Sequence, residues 1–89
     1  MRKTEFKKIV QEGRDRSKLF MVVKIETEGN SGPETIVNPA VNFAAKLNYY
    51  DKAYNDDMEL IAAKNAGKSI QIVDVLMTSN LSDLNWFVY

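Results

Sequence analysis

The chain has 89 residues, 45% of them hydrophobic and 27% charged, with twelve Lys and Arg balanced by twelve Asp and Glu and with neither histidine nor cysteine. That composition describes one small domain over residues 1–89 and excludes zinc fingers, imidazole-based triads, thiol nucleophiles and disulfides. A domain this short buries only about 60–65% of the surface its unfolded chain exposes, which leaves little room for a deep substrate pocket.

The lack of cysteine fits a reducing compartment, and the cytoplasm is the expected location. The longest apolar run, Leu19 to Val23, is strand-sized, and the basic start Met1-Arg2-Lys3 leads into Thr4-Glu5-Phe6-Lys7-Lys8. Neither a membrane span nor a secretory signal is expected.

Thr4 is placed to cap a first helix, in which Phe6, Ile9 and Val10 form a narrow apolar stripe until Gly13 interrupts it. Leu19 to Thr27 then alternates as a strand, with Leu19, Met21, Val23 and Ile25 on one face and Lys24 and Glu26 on the other. Gly29-Asn30-Ser31-Gly32-Pro33 is a loop, and the β-branched Thr35-Ile36-Val37 suits a strand returning from it as a hairpin.

Asn38-Pro39 offers a capping side chain followed by proline at a first helical position. Phe43, Leu47, Tyr50, Tyr54, Met58 and Ile61 recur at steps of three and four, predicting one long helix with all six on a single stripe. That helix ends near Glu59, or runs through Ala62–Ala66 to a left-handed stop at Gly67 with Lys64 near its negative end.

Ser69 to Met77 is a second strong strand, apolar on both faces except at Gln71 and Asp74, which predicts a central place in the sheet. Asn80-Leu81-Ser82-Asp83 reads as a turn or a single helical turn, and the aromatic end Leu84–Tyr89 as a further strand or a cover for the core. The expected fold is therefore α+β: a small antiparallel sheet of three or four strands packed on one long helix, with a short N-terminal helix.

Charge is unevenly spread. Residues 1–18 hold seven bases against three acids, whereas residues 51–59 hold four acids against Lys52. The basic segment could contact phosphates through Lys7, Lys8, Arg14 and Arg16, although Glu5, Glu12 and Asp15 dilute it toward an ordinary solvated surface. The segment from Tyr49 to Glu59 mixes rings with carboxylates, and an exposed Tyr49 beside Asp51, Lys52, Asn55, Asp56 and Glu59 is material for binding a basic protein partner. Its plainer reading is a core stripe backed by a solvated acidic face.

Asp51, Asn55 and Glu59 at spacing four could in principle converge on an oxygen-ligated cation, but neither a glycine turn nor ligands from other elements accompany them, and no metal or cofactor is expected. Asp56 and Glu59 have no companion nucleophile or oxyanion donor motif, so no catalytic residues are expected either. Asp74 in its apolar strand is expected near solvent or across the sheet from a lysine.

The run Ile36-Val37-Asn38-Pro39, Asn42-Phe43, Lys46-Leu47, Tyr50, Ala53-Tyr54-Asn55-Asp56-Asp57 and Leu60, with the strand at Ile70 to Val73, resembles small accessory proteins of phages and prophages of Gram-positive bacteria. Some proteins of that setting inhibit bacterial defence, anti-CRISPR proteins among them. The resemblance implies a non-enzymatic inhibitor whose partner is a host protein such as a CRISPR effector nuclease, and it implies no catalytic residue. Two alternatives remain open: a small nucleic-acid-binding or regulatory protein, and an oligomeric ligand-binding protein, for which a homodimer through a C-terminal edge strand is the simplest form.

Overall fold

A computed structural model describes residues 1–88. The elements follow in the order α1 (Lys3–Asp15), β1 (Phe20–Thr27), β2 (Glu34–Pro39), a 3-10 turn (Ala40–Asn42), α2 (Phe43–Ala53), α3 (Ile61–Asn65), β3 (Ile70–Thr78), a second 3-10 turn (Leu81–Asp83) and α4 (Leu84–Phe87). The fold is α+β, with an antiparallel three-stranded sheet in the order β2-β1-β3.

The hairpin forms as its loop chemistry dictates, with Gly29 at φ 88° in the turn and an unbroken register from Phe20↔Pro39 to Ile25↔Glu34. Met21, Val23 and Ile25 are buried on one face of β1, where they join Phe6 and Val10 of α1, Phe43 and Tyr50 of α2, and Ile72 and Val75 of β3 in a single core cluster. The opposite face carries Val22, fully buried, and Lys24, whose Nζ lies 4.6 Å from the centroid of the Phe87 ring. The C-terminal segment therefore covers the second face of the sheet, as α4 and not as a strand; Tyr89 lies outside the described residues.

A polar hinge turns the chain there. The Thr78 hydroxyl donates to Asp83 Oδ2 at 2.6 Å, and Asn80 Oδ1 accepts from the Ser82 N–H at 3.0 Å, capping the 3-10 turn. β3 is apolar on both faces while remaining at an edge. The central strand is β1, so the double-sided pattern of β3 does not reflect position in the sheet order.

Local details depart from the expected ones for identifiable reasons. The first helix runs through Gly13 to Asp15 and begins at Lys3, with Arg2 at the cap position, so Thr4 lies inside it. Gly13 is there for close approach: a Cβ on it would fall 2.4 Å from Met77 Cβ. Asn38 does not cap a helix. It is 2% exposed, and its side-chain amide donates to the Met21 carbonyl across the hairpin at 3.3 Å.

The long helix stops at Ala53, because Tyr54 turns extended (φ −114°, ψ 144°) and Asn55 begins a tight turn. Asn55 Oδ1 accepts the N–H groups of Asp57 at 3.0 Å and Glu59 at 2.9 Å, a local competitor to helical bonding. Met58, at φ 59°, completes the turn. The next residues bridge to β3 (Glu59↔Gln71) before α3, whose end is the expected one: Gly67 is left-handed at φ 77°, and the Lys68 N–H reaches back to the Ala63 carbonyl at 2.9 Å.

Candidate functional site

The acidic segment and the basic N-terminus, read in the sequence as two separate surfaces, meet each other. Lys7 Nζ lies 2.7 Å and Lys3 Nζ 3.8 Å from Asp51 Oδ1, and Arg2 lies 2.7 Å from Asp57. Lys3 does more than pair with a carboxylate. Its Nζ donates to the backbone carbonyls of Asp51 at 2.8 Å and Tyr54 at 2.6 Å, which places a cation on the open carbonyls at the C-terminus of α2. The Lys3 backbone N–H adds a bond to the Asp56 carbonyl at 2.8 Å.

Electrostatics follow the contacts. The hydrogen-bonded Lys7 ammonium holds the Asp51 carboxyl below its ordinary range, and Lys64 with Asn55 does the same for Glu59. The Lys64 ammonium is raised in return, through its 2.8 Å bond to Glu59. Solvent screens these surface pairs, so they orient the segment more than they stabilise it.

Of the residues expected to form a partner-binding surface, the structure keeps only part on the helix. Tyr49, Asp51 and Lys52 lie on α2, while Asn55 and Asp56 lie in the turn and Glu59 in the bridge to β3. Asn55 and Glu59 bond each other at 3.1 Å and hold the turn, so their spacing of four is not a helical ligand face. Among the described residues, Asp56 is the acid of this segment whose side chain has no polar partner, and Lys52 is likewise exposed and unpaired.

Tyr49 is 49% exposed, yet its ring is held: it lies 5.5 Å from the Tyr50 ring and 6.2 Å from the Tyr54 ring, with Lys46 Nζ 6.0 Å from its centroid. Tyr50 and Tyr54 are buried and pack on each other at 5.7 Å, Tyr50 also meeting Phe6 of α1 edge-on. Burial raises both hydroxyls, that of Tyr54 to about 12. The three rings thus form one block with a single face turned to solvent.

Beside it, between α1 and α2, lies a cavity of about 350 Å³ with an apolar floor of Phe6, Leu47, Tyr50 and Met58 and with Lys7 and Asp51 among its lining. Neither this groove nor the seat of Lys3 was anticipated. Both depend on contacts across about fifty residues, which no local pattern announces.

The four basic residues of the nucleic-acid reading do not share one face. Lys7 is paired to Asp51; Lys8 follows it toward solvent; Arg14 borders Leu19, Ala40 and Phe43; Arg16 borders Ile9, Val75 and Met77 on the β3 side.

No family model matches the chain. The curated proteins and the solved structures likewise yield no match. Among the described residues no helix is long and apolar enough to cross a membrane.

Proposed function

We propose that this chain acts without catalysis of its own, by binding a protein partner through a surface centred on Tyr49, with Lys52 beside it and Asp56 in the following turn. The observation that carries the reading is the half-exposed Tyr49 ring fixed against two buried rings. An aromatic anchor already immobilised loses little rotamer freedom on binding, and rings of this kind dominate interface energetics. The composition supports the non-enzymatic part, since histidine and cysteine chemistry is closed to the chain.

The Lys7, Lys3 and Arg2 pairings narrow the electrostatic part of the reading. They neutralise Asp51 and Asp57, so attraction to a basic partner falls mainly to Asp56, and the apolar and aromatic contact carries most of the affinity. The resemblance to phage and prophage accessory proteins supports a host defence protein as the partner, a CRISPR effector nuclease being the leading candidate, and the bacterial cytoplasm as the place of action.

The test is a quantitative pull-down from nuclease-treated lysate of a Gram-positive host, comparing the wild-type bait with Tyr49→Ala and with Asp56→Lys. The expected result is one near-stoichiometric protein that Tyr49→Ala loses and Asp56→Lys retains in reduced amount. Equal recovery on wild type and Tyr49→Ala would place the interface elsewhere.

A further inference from the structure

The two outer edges of the sheet are treated differently. On β3, the segment after the Asn55 turn pairs with the first residues: the Leu60 N–H donates to the Ile70 carbonyl at 2.8 Å, and the Ile72 N–H to the Met58 carbonyl at 2.9 Å. Further along, the Asp74 carboxylate accepts the Val75 N–H at 2.8 Å, so a side chain of the strand itself blunts that edge. On β2 no such cover exists among the described residues. Ile36 is 40% and Val37 39% exposed, the register with β1 is unbroken, and the strand carries neither a lysine nor a bulge. Open edges of this kind recruit further strands.

The direction of the free groups is fixed by the hairpin. The Ala40 N–H donates to the Leu19 carbonyl at 2.9 Å, which sets the parity of the ladder: Glu34, Ile36 and Asn38 turn their backbone groups toward β1, and Thr35 and Val37 turn theirs outward. The next positions of the same parity are Pro33 and Pro39, which have no N–H to give. They lie equally far from Ile36 on either side.

We propose that β2 is a self-pairing edge, through which two copies of this chain join antiparallel about a twofold axis at Ile36 and continue one sheet across both. In that register Thr35 of one copy faces Val37 of the other, and each residue both gives and receives a backbone hydrogen bond. Sliding the pairing by one rung either way sets Val37 against Pro33 or Thr35 against Pro39, which cannot return the bond. The prolines thus select the register and end the ladder, which closes as a dimer and does not propagate.

Side chains agree with a second copy as the occupant. Ile36 meets its own symmetry mate on the core side of the sheet, and Val37 meets Thr35 on the other. Glu34, the sole charge of the strand, faces Asn38, and the two Glu34 side chains are separated by about 14 Å along the strands, beyond the screening length of roughly 8–10 Å.

The chain has no cysteine, so single-cysteine variants report the register directly. Ile36→Cys would sit opposite itself at a non-hydrogen-bonded position with Cα atoms about 4.5 Å apart, within reach of a disulfide, whereas Val37→Cys would lie about 9 Å from its copy and outside that reach. The two positions are equally exposed, so each variant controls for the folding and accessibility of the other. The expected result is that wild-type protein sediments above its 10.1 kDa chain mass at millimolar concentration, and that Ile36→Cys oxidises to a covalent dimer at least about tenfold faster than Val37→Cys. A wild-type mass that stays at 10.1 kDa, as expected if the edge serves a strand of a different protein, overturns the proposal, and so do equal oxidation rates.

Discussion

Gly13→Ala separates two meanings of a glycine in a helix by the sign of its effect. If Gly13 only weakened α1, alanine would stabilise the protein by about 1 kcal/mol, the usual difference in helix propensity. The new Cβ, however, would lie 2.4 Å from Met77 Cβ and 2.5 Å from Met77 Cγ, where ordinary carbon contacts begin near 3.5 Å. Met77 Cβ cannot rotate away, because it is fixed by the backbone of β3. α1 and β3 must then part by about 1 Å, and overpacking of this kind costs roughly 1–3 kcal/mol, with loss of the fit of Phe6 and Val10 added. Overpacking outweighs propensity, and the expected net loss is on the order of 1 kcal/mol, or roughly 4–8 °C in Tm for a domain this size. In a Met77→Gly background the obstacle is gone and the same substitution should become stabilising. Thermal unfolding followed by circular dichroism reads both signs. A higher Tm for Gly13→Ala in the wild-type background would refute the close-approach reasoning.

Two further outcomes follow from the seat of Lys3 and the tyrosine block. Lys3→Met should cost about 1–3 kcal/mol in urea unfolding, because it leaves the Asp51 and Tyr54 carbonyls without a donor, whereas Lys7→Met removes only an exposed, solvent-screened ion pair and should cost clearly less; equal losses would contradict the capping role. Tyr54, raised to about 12 in the folded protein from an ordinary value of 10.0, favours the folded state fully below pH 10, and that contribution declines as pH rises toward 12. Alkaline unfolding, followed by circular dichroism, is expected in that window, and Tyr54→Phe should move its midpoint to higher pH.

The parts of the fold legible in the sequence were those set by neighbours along the chain. The β1 alternation, the Gly29 loop, the left-handed Gly67 and the turn at Asn80 all appear where their residues put them. Of the stripe from Phe43 to Ile61, Phe43, Tyr50, Tyr54 and Met58 are buried and Leu47 packs partly buried against the core, whereas Ile61, beyond the Asn55 turn, is 40% exposed. The stripe was wrong about mechanism: Tyr54 reaches the core as an extended residue and Met58 from a turn, because Asn55 captures two N–H groups and Lys3 takes the helix-end carbonyls. The two-faced apolar pattern of β3 misled the strand order, since that strand lies at an edge of the sheet.

The candidate surface was legible as residue types but not as electrostatics. Tyr49 was recognisable as outward because it adjoins the buried Tyr50 on a helix. The neutralisation of Asp51 by Lys7 and of Asp57 by Arg2 depends on tertiary contact across the chain, and it turns an apparent charge dipole into a local zipper.

The most direct test of the Tyr49 surface is the affinity of the captured partner for wild-type protein, Tyr49→Ala and the triple variant Lys8→Ala, Arg14→Ala, Arg16→Ala, measured by surface plasmon resonance at low and high salt. Loss of an anchoring ring costs about 2 kcal/mol or more, so Tyr49→Ala should weaken binding by roughly thirtyfold at either salt, while the triple variant stays near wild type. An unchanged affinity for Tyr49→Ala, with a steep salt dependence abolished by the triple variant, would contradict it and move the function to the basic residues of α1.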